Sequence, residues 1–418
     1  MTPAARIQAA IEILEGLNAT AMPADRFIRD WFRTRRYAGS KDRAAVAERV
    51  YDLFRHRASY AWRMQSETPR ALAIASVLAE GGDVDALFGG TGYGPQPLSD
   101  EERAKIAAPP QGGMPQHARC EFPEFLEAEL VRSLGSTLEA DMAAMQMRAP
   151  TDLRVNMWQA TPEFVINALR AEGIDARPTP YSPYGVRIVS QEDRARLRDS
   201  KISDVGYFEP QDESGQIAVL LAQARPRERV LDIAAGTGGK GIALGAEMEN
   251  EGEIVACDIA PARLAQIHER AELAAISIIR IHDGEPPLEE FDLVFVDAPC
   301  SGSGTWRRQP DQKWRLTQAR LDELISIQDA LLDKAAMRVR AGGRILYATC
   351  SLLKCENADR IEAFLRTHPE FTVRAAAEIW QAAVKSEPPP GMGEFFCATP
   401  ATTGTDGFFA AILERSAT

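Results

Sequence analysis

Arg229-Val-Leu-Asp-Ile-Ala-Ala-Gly-Thr-Gly-Gly-Lys240 decides the fold. An apolar strand, Arg229 to Ile233, meets a glycine turn, and a helix-like run follows through Leu244. Glycines at such a turn let the backbone approach a ligand closely, and the helix behind them presents free amides. Alone, the turn equally suits a tight strand-to-helix connection. From Gly215 onward, however, strands and helices alternate, as in a doubly wound, mostly parallel sheet. The expected strands are Arg229 to Ile233, Glu253 to Cys257, Ser277 to Ile281, Leu293 to Val296, Arg344 to Tyr347, Phe371 to Arg374 and Gly407 to Leu413.

Four of these strands carry an acid at the tip: Asp232, Asp258, Asp283 and Asp297. Asp258 comes 26 residues after Asp232, where an acid can bind ribose hydroxyls. Carboxylates bind hydroxyls and amines and repel phosphates, and the Gly-x-Gly-x-x-Gly spacing is missing. S-adenosylmethionine therefore fits better than NAD. The candidate cofactor residues are the four acids, the turn residues Ala235, Gly236, Thr237, Gly238, Gly239 and Lys240, and Arg263.

Two further strand ends carry cysteines, in Asp297-Ala-Pro-Cys-Ser-Gly-Ser-Gly-Thr-Trp-Arg-Arg-Gln-Pro-Asp-Gln-Lys-Trp314 and Tyr347-Ala-Thr-Cys-Ser-Leu-Leu-Lys-Cys-Glu-Asn357. Open α/β sheets build their ligand crevice at those ends, so Cys300 and Cys350 are expected to face one pocket. A lone cysteine is usually a small buried packer; two in polar, glycine-rich tips reverse that weight. Carbon 5 of a pyrimidine becomes nucleophilic only after addition at carbon 6, which a thiolate performs, while an acid near the ring nitrogen neutralises developing charge. Asp297 is the candidate acid. A free thiol is only a few per cent thiolate at neutral pH, so nearby positive charge or hydrogen bonds are needed. Lys240, Arg307 and Arg308 are the candidates.

From Ala4 to about Met147 the periodicity is helical, as in Ile7, Ile11, Leu14 and Val46, Val50, Leu53, Phe54. Gly81 to Pro115, with eight Gly and five Pro, reads as a long loop, and a helix from Pro123 to Met147 follows. The first 70 residues hold 13 Lys/Arg and 8 Asp/Glu, or +5, leaving −17 of the total −12 for the rest. Arg26, Arg29, Arg33, Arg35, Arg36, Lys41 and Arg43 fall among Phe27, Trp31, Phe32 and Tyr37, a mixture suited equally to RNA contacts and to a solvated face over an aromatic core. From Thr151 the pattern becomes a small α/β module: Leu153, Val155 and Met157, a helix from Pro162 to Ala171, then extended pieces near Ile174, Val186 to Val189 and Gly206 to Glu209. The expected domains are 1–147, 148–214 and 215–418.

With 45% hydrophobic and 26% charged residues the chain is neither fibrous nor mostly disordered. Six scattered cysteines exclude a disulfide scaffold, and no pair has zinc-knuckle spacing, so no metal is expected. No window reaches about 18 apolar residues. The expectation is a reduced, soluble, cytoplasmic protein, by default a monomer.

The chain resembles the Nop/Sun RNA cytosine-5 methyltransferases, within them the bacterial ribosomal RNA enzymes with a NusB-like N-terminal domain. The resemblance spans Thr151 to Leu413: Leu153 to Asn156, Gln211 to Ser214, the glycine turn, both cysteine motifs, and Asp406 to Phe409. Asp42-Arg43, Val50-Tyr51 and Leu53-Phe54-Arg55 resemble the NusB-like domain. The resemblance implies a Rossmann-like methyltransferase domain after an RRM-like module and a helical, RNA-binding domain. It further implies that Cys350 attacks carbon 6 and Cys300 assists breakdown of the adduct, with Lys240 and Asp297 near the base. Asp258, Asp283 and Asp297 would line the cofactor site. The family's Cys-Ala-Ala-Pro-Gly-Gly-Lys-Thr reads Ala234 to Gly241 here, without the proline but with Lys240 kept. The substrate implied is a single-stranded or flipped cytosine in small-subunit ribosomal RNA. The alternatives are transfer RNA, a DNA cytosine enzyme using Cys300 as nucleophile, and an RNA assembly factor with little turnover.

Overall fold

The helical face predicted near the N-terminus is buried as its spacing requires: Ile7, Ile11, Leu14, Val46, Val50, Leu53 and Phe54 share one core. In the computed structural model, which describes residues 1–417, these residues belong to the first of two compact units. Its main helices are Pro3–Asn18, Ala24–Arg33, Ser40–Arg55, Arg57–Met64 and Pro69–Ala79. Thr2 and Thr68 cap two of them, accepting from Ala5 N and Ala71 N, each with proline at the first helical position. Burying each large aliphatic side chain contributes roughly 1.5–3 kcal/mol, so this face holds the bundle together.

Two expectations are corrected here. Gly81 to Pro115 is not one long loop, because it contains the helices Val84–Leu87 and Asp100–Ala107. A capping box between Ser99 and Glu102 nucleates the second. The Pro123 to Met147 helix is broken into Glu127–Leu134 and Leu138–Gln146, with Gly135 between them at φ 55°, a left-handed conformation that ends a helix.

The same unit includes Trp306–Leu316, which in sequence follows Cys300. Lys313 Nζ donates to the carbonyls of Glu121 (2.7 Å) and Arg55 (3.3 Å), and Trp314 Nε1 donates to Phe54 O (2.6 Å). Arg307 and Arg308, expected near the thiols, are thus part of the helical unit, where Arg307 is buried.

The second unit holds two sheets. In the small one, β1 (Thr151–Val155), β2 (Ala176–Pro178), β3 (Gly185–Ile188) and β4 (Phe208–Pro210) lie in the order β2-β3-β1-β4, all antiparallel. Leu153, Val155, Val186 and Phe208 pack against Val165 and Leu169 of the Pro162–Ala171 helix. Met157 lies beyond β1 and is exposed.

The large sheet comprises β5 (Arg229–Asp232), β6 (Glu253–Asp258), β7 (Ile279–Asp283), β8 (Phe291–Asp297), β9 (Val339–Thr349), β10 (Phe371–Arg374), β11 (Phe396–Ala398) and β12 (Phe408–Arg415). Its order is β10-β12-β9-β8-β5-β6-β7, with β11 beside β12. Strands β5 to β9 are mutually parallel, and β12 runs antiparallel to β9 and β10. Period-two alternation sends Val230, Leu293, Phe295 and Leu346 to one face, under helices Glu213–Ala222, Gly239–Glu247 and Ala376–Ala383. Leu231, Val294, Val296, Ile345 and Tyr347 go to the other, under Gln318–Ala336 and Ala358–Thr367. Both faces are therefore covered, which is why these strands read as continuous apolar runs. Every expected strand is present, within a few residues at the ends; β11, three residues long, was not anticipated. Strand order reverses between β5 and β8, so the ligand crevice lies outside their carboxyl ends.

Candidate active site

Strand register brings the two cysteines together. Asp297 of β8 pairs with Ala348 of β9, so Cys300 and Cys350 leave adjacent parallel strands at the same end. Their sulfurs are 3.4 Å apart, and both residues are partly exposed. Gly304 N donates to Cys350 O (2.9 Å) and Leu352 N to Ser303 Oγ (2.8 Å), which ties the two loops. The hydrogen bond with Cys350, together with burial, pushes the Cys300 thiol well above its ordinary range. Either sulfur can donate in that contact.

Lys240 Nζ donates to Asp297 Oδ2 at 3.0 Å and lies 5.9 Å from the Phe408 ring. Burial opposes the Lys240 charge, but the ion pair with Asp297 outweighs it and holds the ammonium above the usual lysine range; the negative form of Cys350 adds to this. The cation thus serves both the acid and the sulfur.

Asp232 is fully buried with neither oxygen well hydrogen-bonded among the described residues. Burial, and then the Asp297 charge, push it up to about 7, against the pull of Lys240. Its unfolded value lies near 3.8, so between about pH 4 and about pH 7 the group ionises in the unfolded chain but stays protonated in the folded one, and stability is lost as pH rises. Asp232→Asn is accordingly expected to match the wild type below pH 4 and to gain stability over it by about 1.4 kcal/mol per pH unit up to pH 7. Chemical denaturation at several pH values measures the difference; a constant offset would refute the burial argument.

The remaining cofactor candidates cluster at the same strand ends. Gly238, at φ 85°, is the N-cap of Gly239–Glu247, and Gly238 N closes the turn onto Ala235 O (2.9 Å). Asp258 accepts from Gly236 N and Ala260 N, both at 2.8 Å, and Arg263 stands 3.5 Å from it. Arg270 donates to Thr237 Oγ1 (2.7 Å) and pairs with Glu209 (2.8 Å), a support that sequence spacing did not reveal. Asp283 is exposed at the end of β7. A crevice with an unsatisfied buried carboxylate, further acids and no phosphate cradle fits a ligand with ribose hydroxyls and a cationic tail. S-adenosylmethionine has those groups. Of the four acids, Asp283 and Asp297 are the two that are not buried and so are open to such a ligand.

Sequence reasoning passed over Glu356, although it stands inside the second cysteine motif. It is fully buried and accepts from Ser301, Ser351 and Gln328. The signal available was a serine directly after each cysteine. Among the described residues no group of three or more His, Cys, Asp or Glu is placed to hold a metal ion, and no helix is long and apolar enough to cross a membrane.

A seven-strand order with an antiparallel β12 inserted beside β9, closed over strand-end acids, defines the Rossmann-like, S-adenosylmethionine-dependent methyltransferase class. Residues 218–414 match the family described as 16S rRNA methyltransferase RsmB/F, and residues 122–193 match its ferredoxin-like domain. The chain belongs to this family. Ribosomal RNA small subunit methyltransferase B of Photorhabdus laumondii is 31% identical over 299 residues, covering 70% of this chain and 66% of that protein. The protein of the same name from Yersinia pseudotuberculosis is 29% identical over 280 residues, 66% of this chain and 64% of its own. These matches span just under two thirds of each relative's length. Among solved structures, PH0851 superposes with TM-score 0.74 at 24% identity, covering 99% of both chains. NSun6 from Pyrococcus horikoshii does so with TM-score 0.61 at 19% identity, over 71% of this chain and 99% of its own. The ferredoxin-like match starts at residue 122, inside the stretch read from sequence as helical.

Proposed function

We propose that the protein methylates carbon 5 of a cytosine in small-subunit ribosomal RNA. The observation that carries this reading is the pair of sulfurs 3.4 Å apart beside the Lys240–Asp297 ion pair. Cys350, as a thiolate beside Cys300 and the Lys240 charge, adds to carbon 6 of the ring. Asp297 holds the Lys240 ammonium beside the ring, and that cation offsets the negative charge that addition develops. Bound S-adenosylmethionine supplies an electrophilic methyl group. After methyl transfer Cys300, as a thiolate, takes the proton from carbon 5, the carbon 6–sulfur bond breaks, and Cys350 leaves as a thiolate. The names of the curated relatives support ribosomal RNA over transfer RNA.

The target ring exposes its faces only outside a stack, so the substrate cytosine is unpaired or flipped. On this reading residues 1–147 form a NusB-like RNA-binding domain, 148–214 an RRM-like module and 215–418 the methyltransferase domain. The protein acts as a cytoplasmic monomer, where thiols stay reduced. Labelled S-adenosylmethionine and protein-free ribosomal RNA test the activity, and bisulfite mapping locates the methyl group. Label appearing on another base, or none on RNA, overturns the assignment.

The basic segment of the helical unit divides between the two expected roles. Phe32 is buried and Phe27 packs on the core, whereas Tyr37 is 70% exposed and Arg35 lies 3.7 Å over Trp31. Arg33 and Arg36 are exposed. Replacing Arg33, Arg35 and Arg36 together by Ala is expected to reduce the slope of log affinity against log salt by about 1–2. An unchanged slope assigns these residues to a solvated face.

A further inference from the structure

Each reactive cysteine is followed by a serine, and both serines turn toward one buried carboxylate. Glu356 Oε1 accepts from Ser301 N (2.8 Å) and Gln328 Nε2 (3.1 Å). Its Oε2 accepts from the hydroxyls of Ser301 and Ser351. Ser301 follows Cys300 on the loop after β8, and Ser351 follows Cys350 at the end of β9. Glu356 is itself fixed, since the buried Tyr347 hydroxyl donates to its carbonyl (2.7 Å) and its amide donates to Leu353 O (3.1 Å). Asn357, next in the chain, donates to Ser351 O at 2.9 Å.

Other bonds between the loops, such as Gly304 N to Cys350 O and Ser303 Oγ with Ser351 Oγ (3.0 Å), align the two segments. The Ser301 and Ser351 hydroxyls, on the residues that directly follow the two sulfurs, lie 3.3 Å apart, and the Glu356 bonds hold both of them on one rigid centre. A carboxylate is suited to this because it offers about four acceptor sites, whereas all its neighbours here donate. Removing it would strand several buried donors at once, and each would then seek another partner by moving its loop.

We propose that Glu356 is a positioning residue that clamps the Cys300 and Cys350 loops through Ser301 and Ser351 and thereby sets the distance between the two sulfurs. This deepens the proposed methyltransferase reading and rests on it for its functional meaning. The clamp carries charge as well as geometry: the Glu356 carboxylate is one of the groups that hold the Cys300 thiol up.

The separation of the sulfurs is readable without RNA or cofactor. Glutathione disulfide oxidises the pair: one cysteine thiolate displaces a glutathione thiolate to form a mixed disulfide, and the second cysteine displaces the other. The products are one intramolecular disulfide and two glutathione thiols, the cysteine protons passing to them. In the full-length protein, Glu356→Ala is expected to slow this closure at least tenfold, measured by mass spectrometry of the linked peptides. Glu356→Gln keeps the length and can donate its amide to the two hydroxyls, so closure should remain within threefold of wild type. Its pH profile should shift to lower pH, because the carboxylate charge is gone. A merely structural glutamate would not produce that split between rescue and pH shift.

Should Glu356→Ala fail to fold, seen as alkylation of the buried Cys257, the double variant Ser301→Ala, Ser351→Ala carries the test with the same tenfold expectation. Wild-type closure in the folded variant overturns the clamp, as does a Glu356→Gln profile with no shift. Because closure needs neither substrate nor donor, loss of the clamp and loss of the methyltransferase reading are separate results.

Discussion

Cys350→Ala is expected to abolish methyl transfer to RNA, with kcat lower by about 10⁴-fold or more, as for loss of other covalent nucleophiles. The geometry makes this the more severe of the two cysteine changes. Cys350 is the sulfur whose negative form contributes to holding the Lys240 charge in place, and Cys300 lies 3.4 Å from it. Carbon 5 has no comparable route to nucleophilicity once the thiol is gone, so the loss corresponds to about 5 kcal/mol or more in the barrier. RNA affinity should change little, since no charged contact is removed. The check is a single-turnover assay with labelled methyl donor beside an RNA-binding titration. Full methylation by the alanine variant would move the nucleophile to Cys300, the arrangement expected of a DNA-type cytosine enzyme.

Cys300→Ala is expected to do the opposite, accumulating protein covalently joined to RNA. Its sulfur stands 3.4 Å from the attacking one, close enough to act on the adduct that Cys350 forms. Attack by Cys350 does not need the Cys300 sulfur, whereas removal of the carbon-5 proton that lets Cys350 leave does, so the first step survives its removal and the release step does not. Incubation with RNA and methyl donor should convert much of the variant into a slower band on a denaturing gel, and Cys300→Ala, Cys350→Ala should lose that band. Steady-state turnover should fall by about 10²-fold or more, in the range of a lost general acid or base. If Cys300→Ala turns over at the wild-type rate with no retained complex, the release role is wrong while the attack role stands.

Most of the architecture was legible because it rests on local periodicity. A strand in a sheet covered on both faces is an apolar run of four to eight residues wherever it occurs, and β5, β6, β8, β9 and β12 are legible in this way. The misreadings came from segments in which short capping interactions outweigh composition. Asp100–Ala107 lies in a proline- and glycine-rich stretch yet forms because Ser99 and Glu102 satisfy each other's backbone amides. The strand-end acids were visible as residues, but their states were not. Asp232 is shut away from solvent and Asp283 is open to it, a difference set by the depth of each strand tip.

The amino-acid order by itself determined the alternation of strands and helices, the acids at their ends, and the presence of two thiols just beyond two strands, because each is a property of a few neighbouring residues. Tertiary structure alone decided that Cys300 and Cys350 meet at 3.4 Å, that Glu356 gathers the serines behind them, and that Trp306–Leu316 folds with the helical unit. Those facts depend on which strands pair and in what register. Such pairing joins positions some fifty residues apart through directional bonds only a few ångströms long, and no local pattern in the chain encodes it.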